Sequence, residues 1–190
     1  MRAGALPGHA LVVLDPELML AIDVVPCEDG HAQERSLLGQ VLETVADRDL
    51  WIADRNFCTT DFLFGIARRG GSFVIRQHSS TLYCTLAGER EARGRIATGA
   101  VFEQALRATH PDGEVLLLRR VTVILDQPTR DGDTAIHLVT NLPAEAADAR
   151  TIAELYGRRW TIETGQADPT SSNRWCEAPG TAYDRCRCAA

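Results

Sequence analysis

Four side chains in this sequence are of types, and at spacings, that could hold a metal ion and meet a phosphate or a carboxylate. Tyr156, Arg159 and Glu163 stand at i, i+3 and i+7 in "ELYGRRWTIE". Residues so spaced share one face of a helix. On that face a glutamate can reach a metal ion held elsewhere. Arginine offers a planar fork for phosphate or carboxylate. The fourth is Asp54, which closes the apolar run Leu50-Trp51-Ile52-Ala53. A carboxylate at the end of a buried strand lies where α/β folds place their ligands, and its oxygens suit Mg²⁺. Each feature also has a plain structural reading. An aspartate after a strand is a common turn or helix cap, and a Tyr–Arg–Glu stripe is what the solvent face of an amphipathic helix carries.

The elements that must position these residues follow from periodicity. Residues 11–14 and 18–25 are β-like runs around Asp15-Pro16-Glu17, a hairpin signal. Leu37, Leu38, Val41, Leu42 and Val45 recur at helical spacing, predicting a helix over about 31–46. After the strand at 50–53, any of Thr59, Thr60 or Asp61 can cap a helix over about 60–69, which Gly70-Gly71 ends. "SFVIRQH" is a further strand. Residues 1–78 thus alternate as an α/β unit. Residues 79–142 hold strand-like runs with Gly, Asp and Pro breaks, an antiparallel β-rich insertion in which 100–109 reads as strand or helix. Pro143 opens a third segment, 143–164, where Thr151 and Glu154 form a Thr-x-x-Glu capping box before the helix that bears Tyr156, Arg159 and Glu163.

Composition narrows the classes. The chain has 190 residues, 45% of them hydrophobic, enough for one domain with a sizeable core. No apolar run approaches the ~20 residues that span a bilayer, and the N-terminus is a poor signal peptide. A cytoplasmic protein is expected. The net charge of −6 argues against a surface coated in basic residues for nucleic acid, though a local basic groove remains compatible. All basic residues are arginine. Arg68-Arg69, Arg119-Arg120 and Arg158-Arg159 could touch phosphates or simply be solvated charge. Cys27, Cys58 and Cys84 read as small buried thiols. Cys176, Cys186 and Cys188 match no zinc-knuckle or CxxC spacing.

Taken together, "WIADRNF" and the downstream "ELYGRRWTIE" resemble the insertion sequence 4 family of bacterial DDE transposases. That family carries a Tyr-x2-Arg-x3-Glu-x6-Lys pattern, called YREK. Tyr156, Arg159 and Glu163 match it in type and spacing, while Thr170 stands where the Lys should be. Asp54 matches the family's second catalytic aspartate, and the β-rich block matches its β insertion. The resemblance covers roughly residues 8–164. It implies a ribonuclease-H-like core in which two aspartates and one glutamate hold two Mg²⁺ ions ~4 Å apart for cleavage and strand transfer at a phosphodiester. It makes Asp54 and Glu163 catalytic and metal-binding, places Tyr156 and Arg159 at the DNA, and makes the element ends the partner, in the cytoplasm beside the nucleoid.

Against the family pattern, a first aspartate on a central strand is missing. Asp15 lies at a Pro turn, Asp23 within a strand, and Asp29-Gly30 opens a helix. None has the required context. The absent strand would leave a gap between the hairpin and the strand at 50–54, so marginal stability is expected. Residues 165–190 contain no Leu, Ile, Val, Met or Phe, and a segment with so little to bury is expected to be disordered. A frameshift near residues 164–166 would account for it. Three readings follow: a truncated transposase without catalytic activity, a non-catalytic fragment that binds DNA or inhibits an intact transposase subunit, and a small α/β domain with a cysteine-rich regulatory tail.

Overall fold

The computed structural model describes residues 9–15, 20–27, 34–78, 80–163 and 185–189; the side chains of 9, 27, 34, 160–163 and 189 are outside that description. The hairpin is present as β1 (His9–Asp15) and β2 (Leu20–Cys27), paired antiparallel. A 3-10 turn, Glu34–Leu37, leads into α1 (Leu38–Glu43). The helix expected over 31–46 is therefore shorter, and residues 31–33 lie outside the described part. Leu37, Leu38, Val41 and Val45 are buried as their spacing predicts.

Next come β3 (Asp49–Ala53), wholly buried, α2 (Thr60–Arg68) and β4 (Ser72–Arg76). β3 and β4 are parallel, and α2 makes the crossover. Of the three candidate caps, Thr59 caps α2: its hydroxyl accepts from the Phe62 amide at 3.3 Å. At the other end Gly70 takes φ 75°, and a Cβ there would meet Asp47 Oδ1 at 2.1 Å. Only glycine fits that turn.

β5 (Cys84–Ile96), β6 (Gly99–Thr109), β7 (Val115–Leu125) and β8 (Ala135–Thr140) form an antiparallel meander. Residues 100–109 are strand, since they pair along their length with β7. The block is not a sheet of its own. β8 pairs antiparallel with β4, so the insertion extends the same sheet.

α3 (Ala149–Glu163) follows. Its cap is Asp148 rather than Thr151: the Asp148 carboxylate accepts from the Thr151 amide at 2.7 Å, and Asp148 O accepts from Ile152 N. The helix starts earlier than the Thr-x-x-Glu pattern suggested, so Thr151 occupies the third helical position. Ile152, Ala153, Leu155 and Tyr156 bury α3 against one face of the sheet, while α1 and α2 cover the other.

For residues 185–189 the structure departs from the expectation of disorder over 165–190. Residues Arg185–Ala189 form β9, and β9 lies inside the sheet, giving the order β2-β1-β9-β3-β4-β8-β7-β6-β5. It runs parallel to all of β3 and antiparallel to β1, which it meets at Val13 and Leu14. The gap foreseen between the hairpin and β3 is filled by the last residues of the sequence. "RCRCA" alternates, and alternation is a strand pattern. Cys186 and Cys188 enter the core beneath α3, acting as small apolar groups. Arg185 and Arg187 turn to the opposite face. There Asp49, with no exposed surface, stands 2.9 Å from Arg185 Nε and 3.5 Å from Arg187 Nε, and accepts from the Ala46 amide. A buried carboxylate needs such partners. The rest of the tail, with Cys176 and Thr170, lies outside the described residues.

Candidate active site

Asp54 leaves the carboxyl end of β3 in extended conformation, φ −77° and ψ 175°, and enters the short 3-10 turn Arg55–Phe57. Its carbonyl closes that turn by accepting from Phe57 N at 3.0 Å. Its side chain makes no capping bond. The cap reading of Asp54 therefore fails, and the carboxylate is left for other partners.

Those partners come from α3. Tyr156 donates its hydroxyl to Asp54 Oδ1 at 3.3 Å, and Arg159 brings Nη2 to 3.8 Å from the same oxygen. The Arg159 guanidinium also sits 5.7 Å from the Tyr156 ring centre. Neither side chain is part of a solvated stripe: Tyr156 is 2% exposed and Arg159 4%. Asp54 keeps about a third of its side-chain surface open, at 32%, so the cluster is reachable from solvent through its carboxylate. Burial pushes the Tyr156 phenol up to about 12; Arg159 acts against that shift and Asp54 with it. The phenol stays protonated at neutral pH and remains a donor.

What seats α3 is a second arginine. Arg119 on β7 donates Nη1 to Leu142 O at 2.9 Å and to Ala147 O at 2.8 Å, while its Nε pairs with Glu103 at 2.5 Å. This bridge holds the turn that precedes the helix. Arg119 is thus committed to structure, as is Arg68, which pairs with Asp112 and Glu114.

Three of the four expected residues therefore meet at one point, from elements distant in sequence. Glu163 is the last residue of α3, one turn beyond Arg159; its side chain lies outside the described residues. No group of three His, Cys, Asp or Glu that could hold a metal ion occurs among the described residues. Of the cysteines read as buried thiols, Cys58 agrees, while Cys84 is only partly buried against the core. Cys58 is fully buried, which pushes its thiol up to about 11, and Cys27 is outside the described side chains.

Asp49 is the buried carboxylate that sequence reading passed over. Nothing in "DRDLWIAD" separates Asp49 from Asp47. Its signal was the pairing of an acid at the start of an apolar strand with alternating arginines near the other terminus.

The fold is a mixed α/β, sheet-rich domain, and a carboxylate at the carboxyl end of a parallel strand, met by a tyrosine and an arginine from a helix on the sheet face, marks its candidate site. The chain matches the family model described as "Transposase DDE domain" over residues 5–172, and it belongs to that family. The membership ties it to DNA transposition, with DNA as the substrate and a divalent metal as the usual cofactor of the family. No curated protein matches the chain.

Proposed function

We propose that this chain is a transposase domain of the insertion sequence 4, YREK type, with a ribonuclease-H-like core, that keeps a DNA-facing cluster but does not cut DNA. The observation that carries the reading is the meeting of Asp54, Tyr156 and Arg159. The Tyr and Arg of the motif and the strand-end aspartate fall together although the sequence separates them widely. In this reading the arrangement of β1, β2, β9, β3 and β4 stands for the five-stranded ribonuclease-H sheet, with β9 antiparallel to β1 and parallel to β3.

The same arrangement speaks against cleavage. In this reading the position of the family's first aspartate belongs to the strand that β9 replaces, and β9 offers Arg, Cys and Ala. The described donors do not fit a pair of divalent ions. Among the described side chains Asp54 is the single carboxylate of the cluster, and a guanidinium stands 3.8 Å from its oxygen. Two ions need several carboxylate oxygens and no cation in their place. No catalytic step is therefore derived through a metal. Glu163 stands one turn beyond Arg159 on α3, and its side chain lies outside the described residues. What the described side chains do is hold Asp54: Tyr156 by a hydrogen bond and Arg159 by charge. A DNA phosphate arriving at the site would compete with Asp54 for the Arg159 fork.

The test is a comparison of binding with cutting. A short DNA duplex should bind the full chain with an affinity that falls steeply with salt. Arg159→Ala should weaken it by ~1 kcal/mol or more. With Mg²⁺ the native chain should leave the duplex intact. Nicking by the native chain that Glu163→Ala abolishes would overturn the non-cutting reading. Absence of DNA binding at low salt would overturn the DNA-facing one.

A further inference from the structure

The face of the insertion turned away from α3 gathers cations with no acid paired to Arg90 or Arg120 among the described residues. On β7, Arg120 and Thr122 alternate with Val121 and Val123, which lie in the core beneath α3. Arg120 and Thr122 therefore face the other way. Across the ladders Phe102 stands opposite Thr122, Gln104 opposite Arg120, and His137 opposite Thr122. Thr122 Oγ1 lies 3.0 Å from His137 Nδ1. A sixth residue, Arg90, closes over this tile. β5 bulges between Ala87 and Glu91, Gly88 takes φ 72°, and Gln104 Nε2 holds Gly88 O at 2.9 Å. The bulge lays Arg90 over Phe102, with the guanidinium carbon 4.4 Å from the ring centre.

Arg120 is half-buried, and its Nε, shut off from solvent, has no hydrogen-bond partner among the described residues. A guanidinium in that position normally has a carboxylate. Arg120 instead faces Arg90, and the acidic group that acts on it is the Cys84 thiol, which burial keeps protonated. Burial and the cations Arg120, Arg90 and Arg76 together hold the His137 imidazole below its usual range. Arg76 is balanced by Asp133 at 2.6 Å; Arg120 and Arg90 have no such counter-charge among the described residues.

We propose that Arg120, Arg90 and His137 form a binding site for a phosphate-type oxyanion on the sheet face opposite Asp54. The stacked Arg90 and the half-buried Arg120 supply planar donor forks. Phe102 keeps Arg90 in place at little entropy cost. A bound oxyanion satisfies the orphan Nε and removes the repulsion among the cations. The anion has two sources with the same chemistry: a free inorganic ion, or a phosphate of a DNA backbone. The first stands independently of the function proposed above, and the second rests on it.

The experiment uses the full chain. The ring protons of His137, assigned with His137→Gln, are titrated by NMR with and without inorganic phosphate. Phosphate should raise the His137 pKa by about one unit, because an anion favours the imidazolium. An unmoved titration overturns the site. Arg120→Gln should weaken phosphate binding about tenfold, and Arg120→Lys less, since Lys keeps charge but not the fork. Arg90 is exposed, so Arg90→Ala provides a variant that spares the core and should also weaken phosphate. Unchanged phosphate affinity in both Arg120→Gln and Arg90→Ala overturns the proposal. With a duplex, a salt dependence reduced by about one phosphate in Arg120→Gln identifies DNA as the source. An unchanged slope with lost phosphate binding identifies the free ion. If the native chain fails to bind duplex at all, the DNA reading falls while the phosphate titration still decides this site.

Discussion

At the scale of single residues, Asp54 meets a hydrogen bond from Tyr156 and the charge of Arg159, two contacts of unequal weight. Tyr156→Phe removes the hydrogen bond but keeps the ring, and should cost ~1 kcal/mol of stability in denaturant unfolding. Arg159→Ala removes a buried cation, its stem and the partner of Asp54, and should cost more, ~2–3 kcal/mol. If Arg159→Ala costs less than Tyr156→Phe, the ion pair is not what holds Asp54. The phenol also makes a pH prediction. Its folded pKa, about 12, lies above the ordinary value of ~10. The contribution of Tyr156 is therefore fully present below pH ~10 and lost as pH rises towards 12. Absorbance titration at alkaline pH should show Tyr156 ionising late, towards pH 12. The identities of Asp54, Tyr156 and Arg159 as site residues were legible in the sequence, because helical spacing and a strand end are local facts. That Tyr156 and Arg159 are buried was not. The same i, i+3 spacing fits a solvated stripe, and burial depends on what packs against the helix.

At the scale of elements, β9 carries the largest consequence. Its apolar groups are two cysteines and an alanine, too small to hold a central strand by burial alone. Asp49 supplies the rest, because a carboxylate with no exposure must keep its cations. Asp49→Ala should leave Arg185 and Arg187 facing the α1–α2 side of the core without a counter-charge. A loss of ~3 kcal/mol or more is expected. Hydrogen exchange at Arg185–Ala189 should accelerate, and Cys186 and Cys188 should become open to alkylation. Full protection of both cysteines in that variant would show that β9 is held by something else. The helix caps are smaller terms. Asp148→Ala should cost ~1 kcal/mol, and Thr151→Ala less, since Asp148 is the residue that caps α3.

At the scale of the whole molecule, the sheet is continuous only because its two ends are joined through β9. The hairpin β1–β2 has no other sheet partner than β9 among the described strands. A chain ending at residue 164 should expose the facing edges of β1 and β3. Open edges pair with other chains, so that chain should elute as oligomer or aggregate where the full chain elutes as monomer. Equal elution of both would mean that β9 does not close the sheet in solution. The marginal stability expected from an open gap is accordingly assigned to the shortened chain.

The sequence by itself determined the local elements and the candidate site. Apolar runs between turn residues gave the hairpin, β3, β4 and the strand-like insertion, with 100–109 left as strand or helix; helical spacing gave α1, and capping and stop residues gave α2 and α3; residue type and spacing gave Asp54, Tyr156, Arg159 and Glu163. These depend on neighbours a few positions away, where side-chain direction follows from backbone geometry. Only the tertiary structure decided which strand fills the middle of the sheet, that Asp49 is a buried ion-pair centre, and that Arg119 serves the fold while Arg120 stands without a counter-charge among the described residues. Each of these depends on partners far apart along the chain. A five-residue strand of cysteine and arginine carries too little apolar signal to be recognised until β3 and Asp49 are placed beside it.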